Sequence, residues 1–254
     1  MDLSAKTVLL TGASKGIGSA IARALCEQGA HLIAHYGSDR AGAEEATAGA
    51  AAGRCLLVGA DLADRAQVDR LWSEAVSWRG RVDAVVNNAA VMPMKGGVED
   101  GDDDWDAALD EAIAVNVAAP MRLMRHAARH YLERDGGTFV TLSSWAAQRG
   151  SGNPGMLAYS ASKGAVMAAT KTMARNYAHR GMLCYVVAPG VVHTRMSEIA
   201  AESMGGAKAL AAGLAMREWV PPSDIGALVA FLVSGACRHL SGATLDVNGS
   251  SYIR

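Results

Sequence analysis

Tyr159 and Lys163 stand four residues apart in Tyr159-Ser160-Ala161-Ser162-Lys163, a spacing that puts both side chains on one face of a helix. A phenol titrating at roughly 10 is a poor base at neutral pH, and a neighbouring ammonium favours its phenolate. Such a pair can take a proton from an alcohol or return one to a developing alkoxide. A serine hydroxyl at the same oxygen would steady the growing charge, and Ser143-Ser144 lies upstream in the chain. Taken alone, the two residues are as compatible with a packed ring beside a surface cation, so their surroundings must decide.

A second feature near the amino end supplies a partner for that chemistry. The apolar run Thr7 to Leu10 leads into Thr11-Gly12-Ala13-Ser14-Lys15-Gly16-Ile17-Gly18, and the helical pattern Ile21, Ala22, Leu25 follows. This reads as strand, tight turn and helix. Without β-carbons at Gly12, Gly16 and Gly18 a diphosphate can come close to the helix amino end, where peptide N–H groups converge. The spacing is GxxxGxG rather than GxGxxG, so it is the position at the first strand and helix that favours a dinucleotide. The second strand ends Ala34-His35-Tyr36-Gly37-Ser38-Asp39-Arg40, with Tyr36 where an acid would hold a free ribose diol. Lys15, Ser38 and Arg40 nearby favour NADP (NADPH). Asp39 keeps NAD open, since its carboxylate could fold back toward the ribose, and Lys15 and Arg40 could equally be solvated cations.

The elements that must carry these residues alternate along the chain. Strands are expected at Thr7 to Leu10, Ala30 to Tyr36, Cys55 to Gly59, Val82 to Val86, Thr138 to Leu142, Leu183 to Val187 and Ala243 to Val247. Between them lie helical patterns at Ala41 to Ala52, around Val68, Leu71, Trp72 and Ala75, from about Asp103 to Leu132, from Tyr159 to His179 and from Asp224 to Leu232. Helix-length segments between strands argue for parallel pairing, because each connection must cross back over the sheet. The expectation is an α/β, single-domain, Rossmann-type doubly wound fold spanning 1–254, with a seven-stranded mostly parallel sheet and helices on both faces. The connection from His193 to Pro222 breaks the rhythm and is expected to cover the substrate.

Composition narrows the function further. In 254 residues, 50% apolar, there is enough to bury a large core without disulfides or metals. A net charge of -1 gives no general attraction to nucleic acid or anionic membranes. Cys26, Cys55, Cys184 and Cys237 are scattered, and the pairs His31/His35 and His126/His130 lack a third ligand, so no metal site is expected. The polar start at Met1 to Thr7 and the lack of a long apolar run lead to a cytoplasmic expectation, with no membrane partner.

The glycine loop, Asp61-Leu62, Asn87-Asn88-Ala89-Ala90, Asn116, Ser143-Ser144, Tyr159 to Lys163 and Pro189-Gly190-Val191-Val192-His193-Thr194, in this order, closely resemble the classical short-chain dehydrogenase/reductase family over nearly the whole chain. The resemblance implies that Ser144 positions the substrate oxygen and that Tyr159 is the proton donor or acceptor. It gives Lys163 the lowering of the tyrosine pKa and a contact with the nicotinamide ribose, and puts Asn116 on a water-linked proton path. It assigns Asp61 and Leu62 to the adenine end of the cofactor, Asn88, Ala89 and Ala90 to its middle, and Pro189, Gly190, Val192 and Thr194 to the nicotinamide end. Two departures stand out. Ala90 replaces a common glycine, and the Ser144 to Tyr159 interval is two residues longer than in many relatives, the excess falling in the turn Gly150 to Gly155. A shifted register would make Ser143 the rival serine.

The chain looks like members described as 3-oxoacyl-carrier-protein reductases, which implies a carbonyl or alcohol substrate, in one case a carrier-linked acyl thioester. Sugar, polyol and small-ketone dehydrogenases remain alternatives, as does a dinucleotide-binding regulatory protein without turnover. Arg122, Arg125 and Arg129 could receive an acidic carrier, whereas the acidic run from Glu99 to Asp106 opposes one. The resemblance also implies a homotetramer; Ala227, Val229, Ala230, Phe231 and Leu232 suit either such a contact or internal packing. Trp145, Gln148, Met92, Met94, Met156 and the residues from Met196 to Met204 are candidates for the substrate pocket.

Overall fold

In the computed structural model, which describes residues 1–202 and 205–254, the strands are β1 (Thr7–Leu10), β2 (His31–Tyr36), β3 (Cys55–Gly59), β4 (Ala84–Asn87), β5 (Gly137–Leu142), β6 (Met182–Pro189) and β7 (Thr244–Val247). They form one seven-stranded sheet in the order β3-β2-β1-β4-β5-β6-β7, with every neighbouring pair parallel. The strand order reverses between β1 and β4, and at such a switch point the crevice outside the carboxyl ends of the strands is open to a ligand.

Both faces of the sheet are buried, which is why the strands read as continuous apolar runs. Val8, Leu10, Leu32 and Val86 point to one side, against Ile21 and Leu25 of α1 (Gly16–Glu27) and Val229 and Leu232 of α10 (Pro222–Ser234). Leu9, Ile33 and Val85 alternate to the other side. There they meet Leu71 and Trp72 of α3 (Arg65–Arg79), Leu123 and Tyr131 of α5 (Ala119–Leu132), and Ala174 of α7 (Leu157–Tyr177). The run Val229 to Leu232 is therefore largely internal packing: Val229, Ala230 and Leu232 are buried, while Ala227 faces out.

Three spans differ from expectation. The helix expected over Ala41 to Ala52 is α2 (Arg40–Thr47), and the chain then turns through Gly53 at φ +72°. The helix expected from Asp103 to Leu132 is α4 (Asp102–Ile113), a π-helical segment at Ala114–Ala118, and α5. Pro120 has no N–H for the carbonyl of Asn116 four residues back, so the ladder widens there. The connection from His193 to Pro222 holds two short helices, α8 (Arg195–Glu202) and α9 (Ala207–Ala212). A further short helix, α6 (Ala146–Arg149), follows Ser144 directly. Among the described residues no helix is long and apolar enough to cross a membrane, and no three metal-ligating side chains converge.

Candidate active site

Ser144 follows β5 and Tyr159 begins the second residue pair of α7, so two separate elements bring them together at the carboxyl edge of the sheet. The Ser144 hydroxyl accepts the Ala146 N–H at 3.1 Å and is near enough to the Tyr159 phenol to act on its pKa. Ser143, the rival, is turned inward: its hydroxyl donates to the Lys163 carbonyl at 2.8 Å. The longer turn leads from α6 to α7 (Leu157–Tyr177). It is pinned at Gly155, where a β-carbon would fall 2.2 Å from the Met94 carbonyl oxygen.

Lys163 lies one turn after Tyr159, only 4% exposed, with Nζ donating to the Leu142 carbonyl at 2.9 Å and 5.8 Å from the centre of the Tyr159 ring. Burial pushes the Lys163 ammonium down to about 8. Burial also raises the Tyr159 phenol, against a smaller opposing effect of the Ser144 hydrogen bond. Both shifts arise chiefly from removing the two groups from water, which disfavours the charged form of each.

Across the switch point, the glycine loop is shaped for an anion. Gly12 and Gly16 have φ of +71° and +58°, and a β-carbon on Gly18 would sit 1.8 Å from the Gly12 carbonyl oxygen. Lys15, at the cap of α1, makes no side-chain capping bond, so the first peptide N–H groups of the helix are not covered by it. Thr194 reaches the loop from the other end of the site, 3.1 Å from where a Gly16 β-carbon would be. Asn88 clamps the loop by donating from Nδ2 to the Thr11 and Gly12 carbonyls at 2.9 and 3.0 Å. These residues fit a dinucleotide diphosphate: the cradle exists only because three side chains are missing from it.

A family profile described as enoyl-(acyl carrier protein) reductase matches residues 12–250. The chain belongs to the short-chain dehydrogenase/reductase family of oxidoreductases. It is 34% identical over 260 residues to 3beta-hydroxysteroid dehydrogenase 1 of Eggerthella lenta, covering 98% of this chain and 94% of that one. A Burkholderia cenocepacia short-chain dehydrogenase in complex with NADP superposes with a TM-score of 0.85 at 32% identity, covering 98% of each chain. A Brucella melitensis 3-ketoacyl-(acyl-carrier-protein) reductase complexed with NADH gives 0.86 at 26% identity, covering 99% of this chain and 100% of that one.

The other positions that the resemblance singles out are held by local contacts. Ser14 donates its hydroxyl to the Asp39 carbonyl at 2.6 Å, tying the loop to the end of β2; Ile17 packs against the core below it. Tyr36 is half-buried, and Ser38 and Lys15 are exposed. Arg40 is exposed too and pairs with Glu44 at 2.8 Å. The Asp39 carboxylate caps α2 by accepting the Gly42 N–H at 2.9 Å. Asp61 accepts the Ala63 N–H at 2.9 Å, and Leu62 beside it is buried. Ala89 donates its N–H to the Thr11 hydroxyl at 3.1 Å, and Ala90 follows, half-buried. Pro189 ends β6; beyond it Gly190 packs on Asn248, Val192 is buried, and Thr194 accepts the Ser197 N–H at 3.3 Å. Asn116 sits in the π segment, where its amide brackets Val91, accepting the N–H and donating to the carbonyl, both at 2.9 Å. Of the pocket candidates, Trp145 packs, as Val191 and Leu210 do, against the cluster of Ala201, Leu214 and Trp219, Gln148 donates to Asp246 at 2.7 Å, and Met204 lies outside the described residues.

One supporting residue was not read as such from sequence. His35, only 2% exposed, accepts the Gly12 N–H on Nδ1 at 3.0 Å, so Nε2 carries the proton and donates to the Ala60 carbonyl at 2.9 Å. The available signal was an imidazole in the interior of a largely apolar strand that opens on a second one, His31. Burial lowers its pKa from 6.5, so the unfolded chain takes up a proton that the folded chain refuses. That contribution is whole above about 6.5 and is lost as pH falls through the folded value. His35→Leu should cost about 1–3 kcal/mol, since it leaves the Gly12 N–H and Ala60 carbonyl without their partner. The variant should also lose less melting temperature than wild type between about pH 7.5 and about pH 5. Thermal melts over this range check both, and parallel curves would remove His35 from the acid sensitivity.

Proposed function

We propose that the chain is an NADP-dependent oxidoreductase moving a hydride between nicotinamide and the carbonyl or alcohol carbon of a small molecule. The observation that carries it is the meeting of Ser144, Tyr159 and Lys163 at the carboxyl edge of the sheet that also holds the glycine loop. When bound, the dinucleotide supplies the hydride donor or acceptor and, oxidised, a positive ring charge. Ser144 holds the substrate oxygen. Tyr159 gives that oxygen a proton in reduction and takes it in oxidation. Lys163 keeps positive charge near the phenol and reaches the ribose, and Asn116, whose carbonyl lacks an N–H four residues on, serves a water-linked path for the proton.

Support for NADP over NAD comes from the acceptor end. Tyr36 stands where an acid would repel a phosphate, Asp39 is engaged as a helix cap, and Lys15 is exposed beside the loop. Arg40 is a weaker contributor, since Glu44 holds it. Lys15→Ala should weaken NADP binding about tenfold and leave NAD unchanged. Calorimetric titration with each nucleotide decides it: equal losses would shift the preference back toward NAD.

For the substrate, a 3-oxoacyl thioester is the first reading, supported by the similarity to the Brucella melitensis enzyme and the carrier-protein reductase profile. The apolar wall of Trp145, Val191, Leu214 and Trp219 also suits a steroid or small ketone, in keeping with the Eggerthella lenta relative. Arg122 is bound with His126 to Asp69, which leaves Arg125 and Arg129 for an acidic carrier. We read residues 193–222 as the cover of this site within one catalytic domain, since Leu210, Leu214 and Trp219 dock it beside Trp145. A homotetramer in the cytoplasm, where four free thiols stay reduced, completes the reading. Turnover of acyl thioesters, sugars, ketones and steroids with both nucleotides tests it; nucleotide binding without turnover of any would favour a regulatory protein.

A further inference from the structure

Behind the catalytic pair the structure holds a polar group with no stated use. Asn87 ends β4, is 5% exposed, and neither polar atom of its amide meets a partner among the described residues. An amide buried in this way costs about 1–3 kcal/mol unless something polar reaches it. Asn87 lines a small cavity of about 10 Å³ whose walls also include Lys163, Asn116, Thr11 and Thr141. That volume suits about one water molecule.

The other polar walls are engaged. Thr11 accepts the Asn88 and Ala89 N–H groups, Thr141 accepts the Thr170 hydroxyl, and the Asn116 amide is used by Val91 and Ser162. Lys163, by contrast, carries three N–H donors, of which the Leu142 carbonyl takes one. Among the described residues lining the cavity Lys163 is the one ionisable group, and Tyr159 one turn earlier is the titratable side chain against it. Thr11 after β1, β4, β5 and the π segment contribute only neutral side chains there.

We propose that Asn87 is a positioning residue that holds one internal water against Lys163 and so helps keep the ammonium charged next to Tyr159. The water oxygen accepts an N–H from Lys163 and the water donates to Asn87 Oδ1. Losing it makes the charged lysine harder to sustain in a buried site, and a neutral lysine no longer favours the phenolate. This rests on the assignment of Tyr159 above, and the two can fail separately.

The test needs no substrate. The Tyr159 phenolate is titrated by ultraviolet difference absorbance in the NADP⁺ complex, each protein being read against its own Tyr159→Phe counterpart. Asn87→Leu, close in size but apolar, should raise the midpoint by about one pH unit, or about tenfold less phenolate at a given pH. Asn87→Ser, which keeps a polar anchor, should stay near wild type. A folded Asn87→Leu with an unmoved midpoint overturns the proposal, as does an Asn87→Ser that shifts as far. If Asn87→Leu does not fold, a high-resolution crystal structure of the wild-type NADP⁺ complex decides: a water bonded to both the Asn87 amide and Lys163 Nζ is expected, and its absence overturns the role. Turnover surviving Tyr159→Phe would instead sink the assignment of Tyr159 itself.

Discussion

Tyr159→Phe is expected to fold and bind nucleotide as the wild type does while turnover drops by about three to four orders of magnitude. The ring stays where it packs, 9% exposed at the start of α7, and only the oxygen beside Ser144 is lost. With that oxygen gone, nothing at the site delivers or removes the substrate proton, because Lys163 Nζ is drawn to the Leu142 carbonyl. The loss should appear in kcat and in kcat/KM alike, since the interaction is made only as charge develops on the substrate oxygen. Steady-state rates on any substrate the wild type accepts, with nucleotide titration and a thermal melt as controls, check it. Undiminished turnover would take the proton role away from Tyr159.

Gly18→Ala is expected to weaken binding of both nucleotides about a hundredfold or more. The added β-carbon would lie 1.8 Å from the Gly12 carbonyl oxygen and 2.7 Å from Asn88 Nδ2, so backbone must move and the Asn88 clamp must open. Forced shifts of this kind cost about 1–3 kcal/mol or more, and about 2.7 kcal/mol is already a hundredfold in affinity. Gly49→Ala is the control, because a β-carbon there meets nothing within 4 Å. Calorimetry on both variants separates cradle from fold: a folded Gly18→Ala with wild-type affinity would mean the diphosphate is held elsewhere.

The sheet was legible because its strands combine apolar runs with regular spacing, and the glycine loop because missing side chains mark a close approach. Helix interiors were less so. The span from Asp103 to Leu132 reads as one helix in sequence, yet the buried positions Ala108, Ala112, Asn116 and Pro120 recur every four residues. In a regular α-helix each such step drifts by about 40°, so all four cannot face one way without a wider turn. That spacing, with a proline at its end, was the available signal. The His35 and Asn87 roles were not readable, since both depend on which strand lies alongside: β3 delivers the Ala60 carbonyl to His35, and β5 sets Thr141 beside Asn87. The Ser144 and Tyr159 pairing was legible from the family pattern, but the inward turn of Ser143 required the Lys163 carbonyl to be placed.

The turn between Ser144 and Tyr159 has a mooring at Gly155 and open water around Gly150 and Gly152, whose missing β-carbons would touch nothing within 4 Å. Its two ends are rooted independently, one in the sheet and one in a long helix. Length and composition of that stretch are thus free to drift without altering the distance between serine and tyrosine. Side chains can therefore be added at Gly150 and Gly152 without pushing on either end of the turn.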